Sequence, residues 1–398
     1  DFILANDGGQ TGNNAYNSTM YDNTVTPDYN DTSTYGVDLD TYDISTYVSP
    51  GDSQVTANVD VGQDFVISAA VVLKVPSNLI AGTVFEDVNY GGGPGRSMDD
   101  SNGIGISSAI VELYESDGTF VRRTNSNVSG DYSFGGMADG DYYVKAVNST
   151  VRSTRDNGIN CTTCVPIQTF RSFGDATNTT EVLTEIGGSD PTAFSDSALG
   201  VFADSQSLSL VSIASSGVAN IDFGFNFNTI VNTNEVGQGT LEQFILNSNT
   251  LGETGLDIES NSVFDPAAGD DTSIFMIPSS SDPLGRTADA NFSNGYFNIT
   301  ISNANSLTAI TGTNTNIDGR TQTAYSGDTN TGTVGSGGTT VGTTNVVLPD
   351  YQRPEIQVYR AGGDVLKLQG SNATIRNLSV YANNNAGIRI QSGSANVI

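Results

Sequence analysis

Apolar and polar positions alternate in short runs along most of the chain. In "SQVTANVDV", Val55, Ala57, Val59 and Val61 fall on every second position, the period of a half-buried strand. "AIVELY" puts Ala109, Val111 and Leu113 on one face, "DYYVKAV" does the same with Tyr142, Val144 and Ala146, and "NIDFGFNFN" with Phe223, Phe225 and Phe227. "AGTVFEDV", "GDYSFGGM", "TSIFMIP" and "YFNITISN" also predict strands, and Asp117-Gly118 in "ESDGTF" predicts a hairpin turn. "DFVISAAVVLKV" is apolar almost throughout, as expected of a central strand. "DFILA" predicts a short apolar strand, followed by a polar stretch, residues 6–36, that predicts loop. The only convincing helical period lies in "VNTNEVGQGTLEQFILNSNTLG". There Leu241, Phe244, Ile245 and Asn249 fall near one face, with Thr240 as N-cap.

The pattern changes character toward the C-terminus. Leu366 and Leu368 recur as Ile388 and Ile390, 22 residues later, and Ile375 recurs as Val397 at the same interval. Asn-rich turns lie between. Paired apolar residues at a short period are the mark of a parallel β-helix, in which each rung stacks on the last. These patterns predict an all-β chain that ends in a parallel β-helix (solenoid), and the resemblances given below imply the rest of the expected fold class: β-sandwich modules followed by a right-handed parallel β-helix with one short capping helix. Three regions are expected. Residues 1–78 predict a partial β-sandwich or N-terminal β region. Residues 79–228 predict a complete sandwich with a Ser/Thr/Asp-rich insertion at about 150–215, and residues 229–398 the N-terminal part of the β-helix. The chain starts at Asp1 without Met and stops at Ile398 inside a strand-like segment. We therefore expect a processed form or part of a larger chain, with further rungs or a cover over the last one.

Composition narrows the chemistry. There is no histidine, which excludes Ser-His-Asp and Cys-His catalysis and His-based zinc sites. The balance of 44 acidic to 15 basic residues, a formal charge of -29, argues against nucleic acid and anionic lipid as partners and suits divalent cations or a salty extracellular medium. No apolar run is long enough to span a bilayer, so no membrane insertion is expected. The two cysteines, Cys161 and Cys164 in "CTTC", lack the strand-to-helix context of a redox motif. They predict a small local disulfide that staples a loop in an oxidising compartment.

One stretch carries a family resemblance. "GTVFEDVN…GIGISSAIVELYESDGTFVRRTNSNVSGDYSFGGMADGDYYVKAV" resembles the B-type repeat of Sdr surface proteins and the related Cna-B-like modules, and "NIDFGFNF" is similar to their closing strand. The resemblance implies a β-sandwich stalk domain of a bacterial surface protein. It also implies a calcium loop with Asp87 and Asn89 as ligands. Here that loop is lengthened by "YGGGPGRSMDDSNG" and lacks the family's final Glu. Glu86, Asp87, Asn89, Asp99 and Asp100 could supply the six to eight oxygens calcium takes, so calcium is the candidate cofactor. A phosphate cradle is excluded, because "GPGR" is followed by "SMDD" rather than by Lys-Ser/Thr opening a helix. The family's Lys–Asn isopeptide bond is not expected, since the first strand holds no lysine and Lys74 lies upstream.

The order "VNTN…GQGTLEQFILNSN…IFMIP…ITIS…LTAITGTNTNIDG" resembles the N-terminal portion of secreted bacterial right-handed β-helix proteins. These include polysaccharide lyases and hydrolases. Asp318 in "NIDGR" and Asp364 in "GGDV" are the candidate acids, but glycoside hydrolysis needs two carboxylates facing one bond, and no paired aspartates fall on adjacent rungs. The expected function is non-catalytic: an extracellular filament or surface-layer subunit, or an adhesin stalk. Its expected partners are further copies of itself, other surface proteins or glycans. The alternative is a β-helix protein that binds or cleaves polysaccharide.

Overall fold

In a computed structural model, the structure describes residues 78–175, 179–181, 198–202, 207–280, 288–335 and 337–398, with short stretches between residues 20 and 41. The chain divides into two compact units, Asp1–Pro76 and Ser77–Ile398. In the first, Met20–Asp22 pairs antiparallel with Tyr29–Asp31 and parallel with Leu39–Thr41. The polar stretch expected to be loop thus contains two strands. Its tyrosines explain this, since Tyr21 is buried and aromatic residues favour the pleated, half-buried surface of a sheet. "DFILA", "SQVTANVDV", "DFVISAAVVLKV" and Lys74 lie outside the described residues.

The second unit begins with β1 (Ile80–Glu86), β2 (Ile104–Gly105), β3 (Ile110–Glu115), β4 (Phe120–Asn125), β5 (Asp131–Phe134), β6 (Gly140–Ala146), β7 (Ile167–Asp175), β8 (Leu208–Ile213) and β9 (Phe223–Asn226). Their order is β2-β1-β9-β7-β8-β6-β3-β4, with β5 on β1. β7 joins two layers. Its first half pairs with β9, the register shifts between Gln168 and Phe170, and its last residues pair with β8. A shift of this kind bends a strand, so the sheet turns back over one core. Val84, Val111, Leu113, Tyr132, Val144, Val211, Phe223 and Phe225 meet in that core, an arrangement consistent with a β-sandwich. The faces expected from alternation are the buried ones: Ala109, Val111, Leu113, Tyr142, Val144, Ala146, Phe223, Phe225 and Phe227 are all in the core. The Asp117-Gly118 turn closes the β3–β4 hairpin, with Thr119 N donating to Asp117 Oδ1 at 2.8 Å. The expectation of an insertion at about 150–215 needs correction, because β7 and β8 come from it and lie in mid-sheet.

Among the described residues after β9, the long-range pairings on the core are parallel. β10 (Thr229–Ile230) pairs with β12 (Ile274–Phe275), and β11 (Asp271–Thr272) with β14 (Thr315–Asp318). β13 (Tyr296–Ile301) pairs with β15 (Ile356–Arg360), which pairs with β18 (Leu378–Ala382). β14 also pairs with β17 (Thr374–Arg376), and β16 (Leu366–Leu368) with β19 (Ile388–Ile390). The partners in β16–β19 are Leu366↔Ile388 and Leu368↔Ile390, and Ile310 bridges Leu368 from the other side. Apolar side chains thus stack in columns such as Phe297, Ile356, Leu378 and Ile317, Ile375. The last match is displaced by one residue, since Val397 bridges Thr374, although Ile375 N donates to Val397 O at 2.9 Å. Asn314, Asn372 and Asn377 have positive φ at the turns, a conformation Asn tolerates better than most residues.

α2 (Leu241–Ser248) forms where the period places it. Thr240 Oγ1 accepts from Gln243 N at 3.1 Å, and Leu241, Phe244 and Ile245 enter the same core as these columns. Two further helices, α1 (Met98–Ser101) and α3 (Arg320–Ser326), were not expected. α3 has no apolar stripe. It buries Thr321 and Gln322, which hydrogen-bond the backbone N–H groups of Phe275 and Ile277 at 2.9 and 3.0 Å. Among the described residues, no helix is long and apolar enough to cross a membrane.

Candidate functional site, an acidic loop at a junction

The loop from Asp87 to Gly103 leaves the end of β1 and packs on the parallel-stranded region. Tyr90 is buried among Ile258, Phe264, Ile274 and Met276. Glu259 N donates to Asn89 O at 3.0 Å, and Asp257 N to Asn89 Oδ1 at 2.8 Å. Gly91 is needed for this approach, because a Cβ there would lie 2.2 Å from the carbonyl oxygen of Glu259.

The four candidate calcium ligands do not converge. Asp87 is fully buried, and both its carboxylate oxygens are taken by Arg96. Nε donates to Oδ2 at 2.9 Å and Nη2 to Oδ1. Arg96 Nη1 also pairs with Glu259. Asn89 spends its side-chain oxygen on the backbone of Asp257. Asp99 and Asp100 lie in the first turn of α1, where Ser97 Oγ accepts from Asp100 N at 3.1 Å and donates to its carboxylate at 2.8 Å. Glu86 is also engaged, accepting from Ser153 Oγ at 2.8 Å and from Thr154 N and Oγ1. Among the described residues no group of three acidic or cysteine side chains could hold a metal ion. The residues as arranged do not fit calcium. Burial pushes the Asp87 carboxyl up to about 6 although Arg96 pulls it down, and burial raises Glu86 as well.

Two further contacts join the sandwich to the parallel-stranded region. Arg155 is buried and donates to Gly252 O at 2.8 Å, Asn228 Oδ1 at 3.0 Å and Asp271 Oδ2 at 2.7 Å. Asn228 Nδ2 in turn donates to the other oxygen of Asp271 at 2.7 Å. Cys161 and Cys164 form the expected disulfide. Its loop is gripped by α2, where Gln243 Nε2 donates to Thr163 O at 2.9 Å and Asn247 exchanges hydrogen bonds with Val165 at 3.1 and 3.2 Å. The sequence reading missed Arg96, Arg155, Asn247 and Asp271. The available signal was scarcity, since the chain has only 15 basic residues and Arg96 stands just before Asp99 and Asp100.

The candidate acids are spoken for. Asp318 is buried and paired with Arg320 at 2.6 Å, with Arg376 at 3.8 Å. Asp364 accepts from Ala386 N at 3.1 Å and pairs with Arg389 at 2.9 Å, and these two contacts hold its carboxyl below the usual carboxylate range. Asp318 is the last residue of β14 and reaches Arg376 of β17, and Asp364 lies in the loop before β16 and reaches Arg389 of β19.

The comparisons agree with this mostly-β picture in part. Residues 78–182 match the SdrD B-like domain, a domain that occurs in bacterial surface proteins. No curated protein matches the chain.

Proposed function

We propose that this chain is an extracellular structural protein of a bacterial surface. In this reading the SdrD B-like domain is a stalk module, and residues 229–398 are the first coils of a right-handed parallel β-helix, capped by α2. The 22-residue parallel register of β15–β18 and β16–β19 supports the coil. The observation that carries the structural role is the junction. Two loops of the sandwich, residues 87–103 and 147–166, grip the parallel-stranded region through polar contacts, those of Arg155 with Asn228 and Asp271 buried, and the carboxylates of Asp318 and Asp364 are engaged by arginines. Such a joint transmits force or orientation from one module to the next. The chain is accordingly a filament-forming or surface-layer subunit or an adhesin stalk, without catalysis. Negative-stain microscopy of the purified chain tests this, with ordered filaments or uniform elongated particles expected. Compact particles that release reducing or unsaturated sugar from acidic glycans would reject it in favour of a polysaccharide-cleaving enzyme.

A further inference from the structure

The loop that resembles a calcium loop holds a cation of its own. We propose that the guanidinium of Arg96 stands in for a metal ion at Asp87, so that the junction between the sandwich and the parallel-stranded region is ordered without calcium. The inserted "GGGPGRSM" makes this possible. It carries Arg96 back to Asp87, nine residues away in sequence, and also to Glu259, which is 163 residues away. One side chain thereby joins a carboxylate at the end of β1 to one in the parallel-stranded region.

The geometry suits arginine. A planar fork meets both oxygens of Asp87 and leaves Nη1 for Glu259, an arrangement that the point charge of lysine cannot reproduce. Asp87 has no access to solvent, whereas Glu259 remains more than half exposed. A single positive charge therefore suffices, since water screens the second carboxylate. Two other side chains that a metal would recruit are used elsewhere. The Asp100 carboxylate accepts from Ser97, the N-cap of α1, and Asn89 Oδ1 accepts from the backbone of Asp257.

Hydrogen exchange of the full 398-residue chain reads the loop directly, through peptides covering 87–103 and 253–260. Equal protection of these peptides in EDTA and in millimolar calcium is expected. Arg96→Gln leaves a buried, unpaired carboxylate, so both peptides should exchange several-fold faster while the β3–β4 hairpin is unchanged. The double variant Asp87→Asn/Arg96→Gln removes that charge and should recover much of the protection. Three results would overturn the proposal: calcium-dependent protection of residues 87–103 in the wild-type chain, wild-type exchange in Arg96→Gln, or no recovery in the double variant. The wild-type comparison decides the matter even if the single variant does not fold.

Discussion

In a chain with 15 basic residues against 44 acidic ones, Asp87 and Asp271 are each buried against an arginine. Asp87 illustrates the balance. Its folded pKa, about 6, lies above the ordinary 3.8 because burial outweighs the pull of Arg96. The folded state therefore holds the Asp87 proton more tightly than the unfolded chain does. The associated stability is fully present below pH 4 and is lost as the pH rises from about 4 to 6. The shift of roughly two units corresponds to about 3 kcal/mol. Denaturant titrations from pH 4 to 7 should show wild-type stability falling more steeply than that of Asp87→Asn, because the comparison cancels the general repulsion of a chain of charge -29. Parallel slopes in the two proteins would refute this account of Asp87. The presence of Asp87 and Asn89 in an acidic loop was legible in the sequence. Their partners were not, since a carboxylate offers the same oxygens to calcium and to a guanidinium. Only the path of the loop brings Arg96 to it.

Among the described elements, those with a clear period formed as expected. The face of α2 and the paired apolar positions of β16 and β19 follow from side-chain direction alone, with period 3.6 in a helix and 2 in a strand. Leu368 lies between Ile310 and Ile390 in one column and is fully buried. Truncation to Ala removes contacts on both sides and should cost about 2–5 kcal/mol. The exposed neighbour Gln369 should tolerate Ala within about 0.5 kcal/mol. Equal midpoints for the two variants in urea would contradict the stacking. β7 and α3 escaped the sequence reading because their stability is not periodic, whereas β8 does alternate, with Ser209, Val211 and Ile213 buried. β7 changes partners halfway along, and α3 is held by the backbone N–H groups of Phe275 and Ile277 donating to Thr321 and Gln322 rather than by an apolar stripe.

The second unit has three hydrophobic clusters, and the one around Tyr90 joins the sandwich to the parallel-stranded region. The disulfide loop contributes through α2, which grips its backbone with Gln243 and Asn247. Closing so short a loop contributes about 2 kcal/mol through chain entropy. Cys161→Ser/Cys164→Ser should lower the melting temperature, and hydrogen exchange should speed up at residues 161–166 and 241–248 together. A loss of protection confined to 161–166 would show that the grip of α2 is unimportant. The mostly-β character, the capped helix, the stacking repeat, the disulfide and the likeness to a surface-protein domain could all be read along the chain. Each of these is written in local spacing between neighbouring residues. The closure of the acidic loop on an arginine and the clamping of the sandwich to the parallel strands became visible in the folded structure alone. Arg155 and Asp271 are 116 residues apart, and Arg96 and Glu259 are 163 apart. Ion pairs over such separations are set by the docking of whole elements, and no local pattern encodes them.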